Sequence, residues 1–94
     1  MRLDKFLQVS RLVKRRTLAN QLCDGGHVQR QGRTARASAE VGPGDVLVVD
    51  YGWRTLTVQV AAIPTGQVSR AAAGELYVVL AEERRAPEPD DGQG

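Results

Sequence analysis

Residues 11–26 read RLVKRRTLANQLCDGG, in which a basic triplet, a helical repeat of apolar residues and a glycine pair follow one another. The apolar residues from Leu18 to Cys23 recur at helical spacing, which predicts a helix over about residues 16–24. The glycine pair supplies a residue able to take a positive φ, so the helix is expected to end there. This stretch therefore predicts a helix with cations at its N-terminus and a clear stop at its C-terminus.

A shorter helix precedes this stretch. Leu3, Phe6 and Leu7 stand at i, i+3 and i+4, and Asp4 lies in the first turn, where the helix dipole favours an acid. We place this helix at about residues 3–10. The chain therefore begins with two helices joined by a short basic loop.

Extended segments follow the second helix. Residues 28–30 and 33–37 flank a Gln31-Gly32 turn, which predicts a hairpin that carries arginines. Beyond the Pro43-Gly44-Asp45 turn, residues 46–49 are an apolar run typical of a buried strand, and residues 56–60 alternate between apolar and polar. We expect these two strands to pair as a meander.

Residues 69–85 fit two structures. The apolar residues between Ala72 and Leu80 fall on one helical stripe, whereas the run from Tyr77 to Leu80 alone would suit a strand. We favour a short helix. Residues 86–94 are rich in Pro, Asp, Gly and Gln and predict a disordered acidic tail.

Together these elements predict an α+β fold, with two N-terminal helices packed on a small antiparallel sheet and a short C-terminal helix or strand. A chain of 94 residues leaves little room for an enclosed catalytic cavity, so we predict neither an enzyme nor a cofactor. Cys23 is the only cysteine and His27 the only histidine, which argues against a disulfide and a zinc site. No apolar run approaches the roughly 20 residues of a membrane span, so the predicted location is cytoplasmic.

Positive charge is concentrated in the first third of the chain. Residues 1–36 carry nine Lys or Arg and two acids, a net of +7, whereas residues 37–94 carry four bases and nine acids, a net of −5. The whole-chain net of +2 hides this basic pole, which is the electrostatic signature of a nucleic-acid-binding protein. The alternative is a set of solvated surface charges without a ligand. Seven of the nine basic residues are Arg. Because Arg binds phosphate in bidentate fashion and stacks on nucleobases, we favour RNA as the ligand.

The candidate RNA-binding residues come from three places. Lys14, Arg15 and Arg16 stand at the entrance to the second helix, where unpaired amides and the dipole favour an anion. The basic residues Arg2 and Arg11 and the hairpin arginines would extend this surface. Thr17 and Asn20 could hydrogen-bond a sugar or phosphate of the RNA. The full predicted set is Arg2, Arg11, Lys14, Arg15, Arg16, Thr17, Asn20, Arg30, Arg33 and Arg36.

Several candidate residues have simpler interpretations. Thr17 is placed equally well to cap the second helix. Cys23 lies on an apolar stripe and is interpreted as a core residue. His27 could contact RNA, but we favour an incidental surface position. Tyr51 and Trp53 could stack on RNA bases, but we favour a packing or turn role for both. No catalytic residue and no metal ligand is predicted.

The motifs resemble a known family. Residues 2–7 read RLDKFL, residues 11–19 read RLVKRRTLA, and Gly25-Gly26-His27-Val28, Gly32-Arg33 and Val41-Gly42-Pro43-Gly44-Asp45 follow in order. This pattern resembles the S4-type RNA-binding domain, and we expect it to occupy residues 1–63, with a C-terminal extension over 64–85 packed on it. Within that family the chain resembles the small ribosome-associated proteins of the RqcP and heat-shock protein 15 type. It shows no long basic C-terminal extension, which favours the RqcP type.

The resemblance implies a non-catalytic role in ribosome-associated quality control. The implied partners are large-subunit rRNA and peptidyl-tRNA on obstructed large ribosomal subunits, with a tailing factor on the same subunit and a monomeric protein off the ribosome. Two other hypotheses remain open at this point. One is a detached RNA-binding domain that works with an RNA-modifying enzyme, and the other is a factor for rRNA assembly or mRNA regulation, because fold alone does not fix function.

Overall fold

Both N-terminal helices form where the apolar spacing predicts them. The computed structural model describes residues 1–89, in which α1 covers Leu3–Val9 and α2 covers Arg16–Asp24. Residues 90–94, and with them the greater part of the predicted acidic tail over 86–94, lie outside the described residues. The two helices pack against each other through the faces that carry Leu3, Phe6 and Ala19.

The glycine pair ends α2 as predicted. Gly26 has φ +83°, a conformation that is costly for residues with a Cβ. Its amide donates to the Cys23 carbonyl at 3.1 Å, and the His27 amide donates to the Leu22 carbonyl at 2.9 Å. These two bonds are those of a Schellman motif, which satisfies the last carbonyls of a helix.

The predicted hairpin follows directly, with a shorter second strand than expected. Strand β1 (Val28–Arg30) pairs antiparallel with β2 (Arg33–Thr34). Gln31 and Gly32 both have positive φ, +53° and +80°, which is the type I′ geometry that matches the twist of a two-residue hairpin.

The predicted meander is confirmed. Strand β3 (Val46–Asp50) pairs antiparallel with β4 (Arg54–Val60), and Leu47 stands opposite Val58. Alternate residues of both strands are buried, so one face of this sheet carries apolar side chains into the core. The helices cover that face, and Leu3, Phe6, Leu47 and Val58 belong to one buried cluster.

The preference for a helix over residues 69–85 is wrong for most of that stretch. A single helical turn, α3 (Arg70–Ala73), is followed by an eight-residue strand, β5 (Tyr77–Arg84), which pairs with β4. Within residues 1–89, the five strands lie in the order β2-β1-β3-β4-β5. Because β5 is an edge strand, Val78, Val79 and Leu80 remain about half exposed, and their apolar run lacks the alternation that marks a strand buried on one face.

Candidate nucleic-acid interface

A buried carboxylate organises the basic surface. Asp4 is 2% exposed, and its Oδ1 accepts from Arg2 Nε at 3.2 Å. Its Oδ2 accepts from Arg16 Nε and from Asn20 Nδ2, each at 3.4 Å. The Asp4 side chain therefore brings together three predicted site residues, one that precedes α1 and two on α2.

Asp4 stays ionised at neutral pH in spite of its burial. Burial alone raises the pKa of this carboxyl, but the hydrogen bonds from Arg2, Asn20 and Arg16 lower it by more, so the pKa lies below its usual value. The two guanidinium groups remain about half exposed, at 48% and 49% of their side-chain surface. The cluster of Arg2, Asp4 and Arg16 thus keeps a net positive charge and presents two oriented guanidinium groups to solvent.

The loop between the helices presents the second group of cations. Arg11, Lys14 and Arg15 are exposed, whereas Leu12 and Val13 point into the core. Two apolar residues stand between the basic residues here because their side chains are buried while the cations remain in solvent. We refer to residues 11–15 as the basic loop.

The basic loop adopts a strained conformation. Arg11 has φ +62°, and its amide donates to the Gln8 carbonyl at 3.0 Å as α1 ends. A left-handed conformation costs a residue with a Cβ about 1–2 kcal/mol. The Val13 amide, which donates to the Leu7 carbonyl at 3.0 Å, helps to hold this turn.

Helix α2 begins with cations and without a side-chain cap. Arg15 is the N-cap residue and makes no capping hydrogen bond with its side chain. The alternative interpretation of Thr17 as a cap is therefore wrong, and Thr17 lies exposed in the first turn. The first-turn amides of a helix carry partial positive charge, so the Lys14-Arg15-Arg16 triplet and the helix end favour the same kind of ligand, an anion.

The hairpin arginines differ from one another. Arg30 Nε donates to Asp45 Oδ2 at 2.9 Å, so an acid neutralises much of its charge. Burial raises the pKa of Asp45, but the Gly42 amide and Arg30 together lower it below its usual value. Arg33 and Arg36 are exposed, have no acid paired with them among the ion pairs of the hairpin within residues 1–89, and line with Arg30 an open concavity of about 470 Å³. Of the three, these two are better placed to meet a phosphate.

The segment after the hairpin runs back to the helices. The Asp4 amide donates to the Ala37 carbonyl at 3.1 Å, and the Ala37 amide donates to Asp24 Oδ1 at 3.1 Å. Arg36 therefore directly precedes Ala37, the residue whose carbonyl accepts from the Asp4 amide. Arg36 itself lines a concavity with Cys23 and Asp24 near the C-terminal end of α2, whereas Arg30 is paired with Asp45.

Two features of this surface escape sequence analysis. Asp4 resembles an ordinary first-turn acid, and nothing in the spacing shows that it meets Arg16 and Asn20, which lie 12 and 16 residues away. Tyr51, interpreted as a turn or packing residue, donates from Oη to the Leu12 carbonyl at 2.6 Å and so contacts the basic loop.

The remaining candidates have no site chemistry. Cys23 is buried as expected, and burial raises the pKa of its thiol to about 12. Within residues 1–89, no group of His, Cys, Asp and Glu side chains is placed to hold a metal ion. The same part of the chain has no helix of the length and apolarity that a bilayer span requires.

The helix pair, the basic loop and the hairpin define an RNA-binding domain of the S4 type. A model of the S4 domain matches residues 1–47, and the chain belongs to that family. It is similar to the RQC P-site tRNA stabilizing factor of Bacillus subtilis (strain 168), with 46% identity over 84 residues that cover 89% of this chain and 96% of that protein. The protein of the same name from Halalkalibacterium halodurans is 45% identical over 83 residues, 88% of this chain and 93% of that one.

A solved structure shows the same likeness. The trimeric structure of Vibrio cholerae heat shock protein 15 superposes with a TM-score of 0.79 and 31% identity, over 86% of this chain and 82% of that one. The resemblance to the S4 domain and to small proteins of the RqcP and heat-shock protein 15 type is thereby confirmed. So is the predicted α+β fold of two helices on an antiparallel sheet.

Proposed function

We propose that this protein is a non-catalytic RNA-binding factor of ribosome-associated quality control. It binds large-subunit rRNA and tRNA on obstructed large ribosomal subunits that carry peptidyl-tRNA, and it thereby supports tailing of the stalled chain by a factor on the same subunit. This function places it in the cytoplasm with the ribosomes, as a monomer when it is not bound to them.

One observation carries the proposal: a buried carboxylate holds Arg2 and Arg16 side by side, next to the basic loop and the N-terminus of α2. Fixed guanidinium groups lose less rotamer freedom when they bind phosphate than free ones do. An arrangement of this kind suits a folded RNA surface that is recognised by its shape and phosphates.

The comparisons support the specific setting. The relatives are named as tRNA stabilizing factors, and this chain matches 93–96% of the length of the two described above. Their names describe stabilisation rather than a reaction, which supports a non-catalytic role. The likeness extends well beyond residue 47, where the S4 match ends, so it includes the sheet and β5 as well as the helices.

The proposed RNA contacts fall into three groups. The strongest candidates are the exposed cations of the helix pair and basic loop, which are Arg2, Arg11, Lys14, Arg15 and Arg16. Thr17 and Asn20 add hydroxyl and amide groups on α2. Arg33 and Arg36 extend the surface along the hairpin, and Arg30 contributes less because Asp45 already binds it.

Sedimentation with ribosomal subunits tests this function. The purified protein is mixed with empty large subunits, with large subunits that carry peptidyl-tRNA, and with small subunits, at one moderate salt concentration. We expect preferential sedimentation with the large subunits that carry peptidyl-tRNA. Equal binding to all three, or a preference for small subunits, would contradict the proposal and favour a general RNA-binding or assembly role.

A charge variant tests which surface is used. Replacing Lys14 and Arg15 together by Ala should weaken binding to the loaded large subunits and make it less sensitive to salt. Each lost phosphate contact lowers the slope of log affinity against log salt by about 0.7–0.9. Arg70→Ala on α3 is the control, because it removes an exposed arginine outside the proposed surface. An unchanged slope for the double variant would exclude the basic loop from the interface.

A further inference from the structure

The basic loop is connected to the C-terminal strand by a chain of side-chain contacts. At one end, Tyr51 Oη donates to the Leu12 carbonyl at 2.6 Å, which joins residues 39 apart in the sequence. Burial raises the pKa of Tyr51 in spite of the nearby Arg54, so the phenol remains a hydrogen-bond donor at neutral and mildly basic pH. This is a direct attachment of the sheet to the middle of the basic loop.

Arg54 fixes the Tyr51 ring. Its Cζ lies 4.7 Å from the centroid of the Tyr51 ring and 4.7 Å from that of Trp53, so the guanidinium stacks against both aromatic side chains. Its Nε is buried and has no hydrogen-bond partner within the described chain. The orientation of this guanidinium therefore depends on the two rings and on its remaining nitrogen contacts.

Strand β5 supplies the anchor for Arg54. Arg54 Nη1 donates to Glu82 Oε2 at 3.0 Å, across the β4–β5 pairing. Arg84 of the same strand stacks on Trp53 with its Cζ 5.2 Å from the ring centroid. The contacts thus run from Glu82 through Arg54 and Tyr51 to Leu12.

We propose that Tyr51 is a positioning residue, which, held by Arg54 and Glu82, keeps the basic loop in its RNA-binding conformation. The loop needs such support because Arg11 is in the left-handed region, which a free loop would leave. Leu12 and Val13 anchor the loop from the core side, and the Tyr51 hydroxyl fixes the backbone between Arg11 and Lys14. All three residues of the Tyr51, Arg54 and Glu82 chain lie beyond the S4 match, so the C-terminal part of the protein acts on a surface in its N-terminal part.

This inference rests on the proposed function where binding to large subunits is measured. Its second test, amide hydrogen exchange, uses the free protein alone. Tyr51→Phe removes the hydroxyl and keeps the ring. We expect it to weaken binding to large subunits carrying peptidyl-tRNA by about three- to tenfold, which corresponds to the loss of one hydrogen bond that holds the binding conformation. In the free protein, the amides of residues 11–15 should exchange faster, while those of α2 and β3 keep the wild-type rate.

Tyr77→Phe is the matched control, since Tyr77 is a half-buried tyrosine of β5 in the same sheet. It should leave both the affinity and the exchange of the basic loop unchanged. Equal exchange in the loop of the Tyr51→Phe variant and the wild-type protein would overturn the proposal whatever the ribosome data show. Failure of the wild-type protein to bind the loaded subunits would overturn the proposed function and leave the exchange test intact.

A second variant tests the distant end of the chain. Glu82→Gln should speed amide exchange in the same loop residues, although Glu82 does not line the concavity that the basic loop shares with Tyr51 and Arg54. Combined with Tyr51→Phe it should add nothing, because both changes release the same contact. Glu83→Gln makes the same charge change one residue away, at a more exposed side chain, and should have no effect on the loop. Full additivity of Glu82→Gln and Tyr51→Phe, or an equal effect of Glu83→Gln, would refute a connected chain.

Discussion

Replacing Asp4 by Asn separates organisation of the arginines from simple charge. The substitution keeps the size of the side chain, removes its negative charge and raises the net charge of the protein by one. If net charge governed RNA binding, the variant would bind more tightly. If the Asp4 carboxylate acts by holding Arg2 and Arg16 in place, the variant will bind more weakly.

The expected magnitudes follow from the contacts. Hydrogen bonds to a charged group contribute about 1.5–3 kcal/mol, and the half exposure of both arginines puts the expected loss of stability near the lower end, about 2 kcal/mol. For a domain of this size that lowers Tm by about 8–16 °C. Ordering two released arginines on binding costs about 0.5–1.5 kcal/mol each. After allowance for the added positive charge, we expect affinity for RNA to fall about fivefold.

The stability difference should depend on pH in a definite direction. The folded-state pKa of Asp4 is lower than that of the unfolded chain, so its contribution is fully present above the unfolded value of about 3.9. It is lost progressively as the pH falls through the folded-state pKa. Urea unfolding at pH 7 should therefore separate the wild-type protein from the variant, and the gap should close in strongly acidic solution. Urea is preferred to guanidinium because a salt would screen the interaction.

Glu75→Gln is the matched control, because it makes the same charge change at an exposed side chain. It should leave stability nearly unchanged and, if charge has any general effect, slightly strengthen RNA binding. Tighter RNA binding by the Asp4→Asn variant, together with an unchanged Tm, would refute the idea that Asp4 organises the interface. A stability gap that stayed constant down to the most acidic pH would refute the assignment of that gap to the Asp4 charge.

Three further predictions concern the fold. Gly26→Ala should lower the free energy of unfolding by about 1 kcal/mol because φ is +83° there, whereas Gly42→Ala, at a position with open space and no positive φ, should change it little, as urea unfolding would show. Cys23 should resist alkylation at pH 8 in the folded protein and react once urea unfolds it, because burial raises its pKa to about 12; ready modification of the native protein in a mass spectrometric time course would contradict this. Leu47→Ala should lower the free energy of unfolding by about 2–5 kcal/mol. Leu80→Ala, at a side chain 52% exposed on β5, should lower it by less than about 1 kcal/mol. Comparable losses of stability in the two variants would favour the helix that the sequence suggested for residues 69–85.

Local patterns predicted the helices, the hairpin and the meander. The apolar spacing placed α2 over 16–24 and α1 over 3–10, and α1 ends one residue earlier, at Val9. The helices and the meander were predictable because each buries one face against the same core, so burial appears as a period of 3.6 or 2 along the chain. The glycine positions were predictable because only a few conformations can end a helix or close a two-residue hairpin.

The C-terminal strand was not predictable in the same way. Residues 77–80 are apolar without alternation, and a helical stripe through Leu76 and Leu80 arises by coincidence. What makes this segment a strand is the free edge of β4, to which it adds a row of backbone hydrogen bonds. That edge exists only once the meander has formed, so tertiary pairing decides between the strand and the helical stripe that residues 77–80 both allow.

The sequence by itself determined that this chain is a small α+β protein with a basic N-terminal third, and its motifs determined the family. It also located the cations, because charge and glycine placement are properties of neighbouring residues. Only the tertiary structure decided how those cations are arranged. Asp4 hydrogen-bonds both Arg2 and Arg16, Asp45 pairs with Arg30, and Tyr51 hydrogen-bonds the basic loop. Each of these contacts except that of Arg2 joins residues at least 12 apart, and such contacts depend on where the whole fold places two side chains rather than on any repeat along the chain.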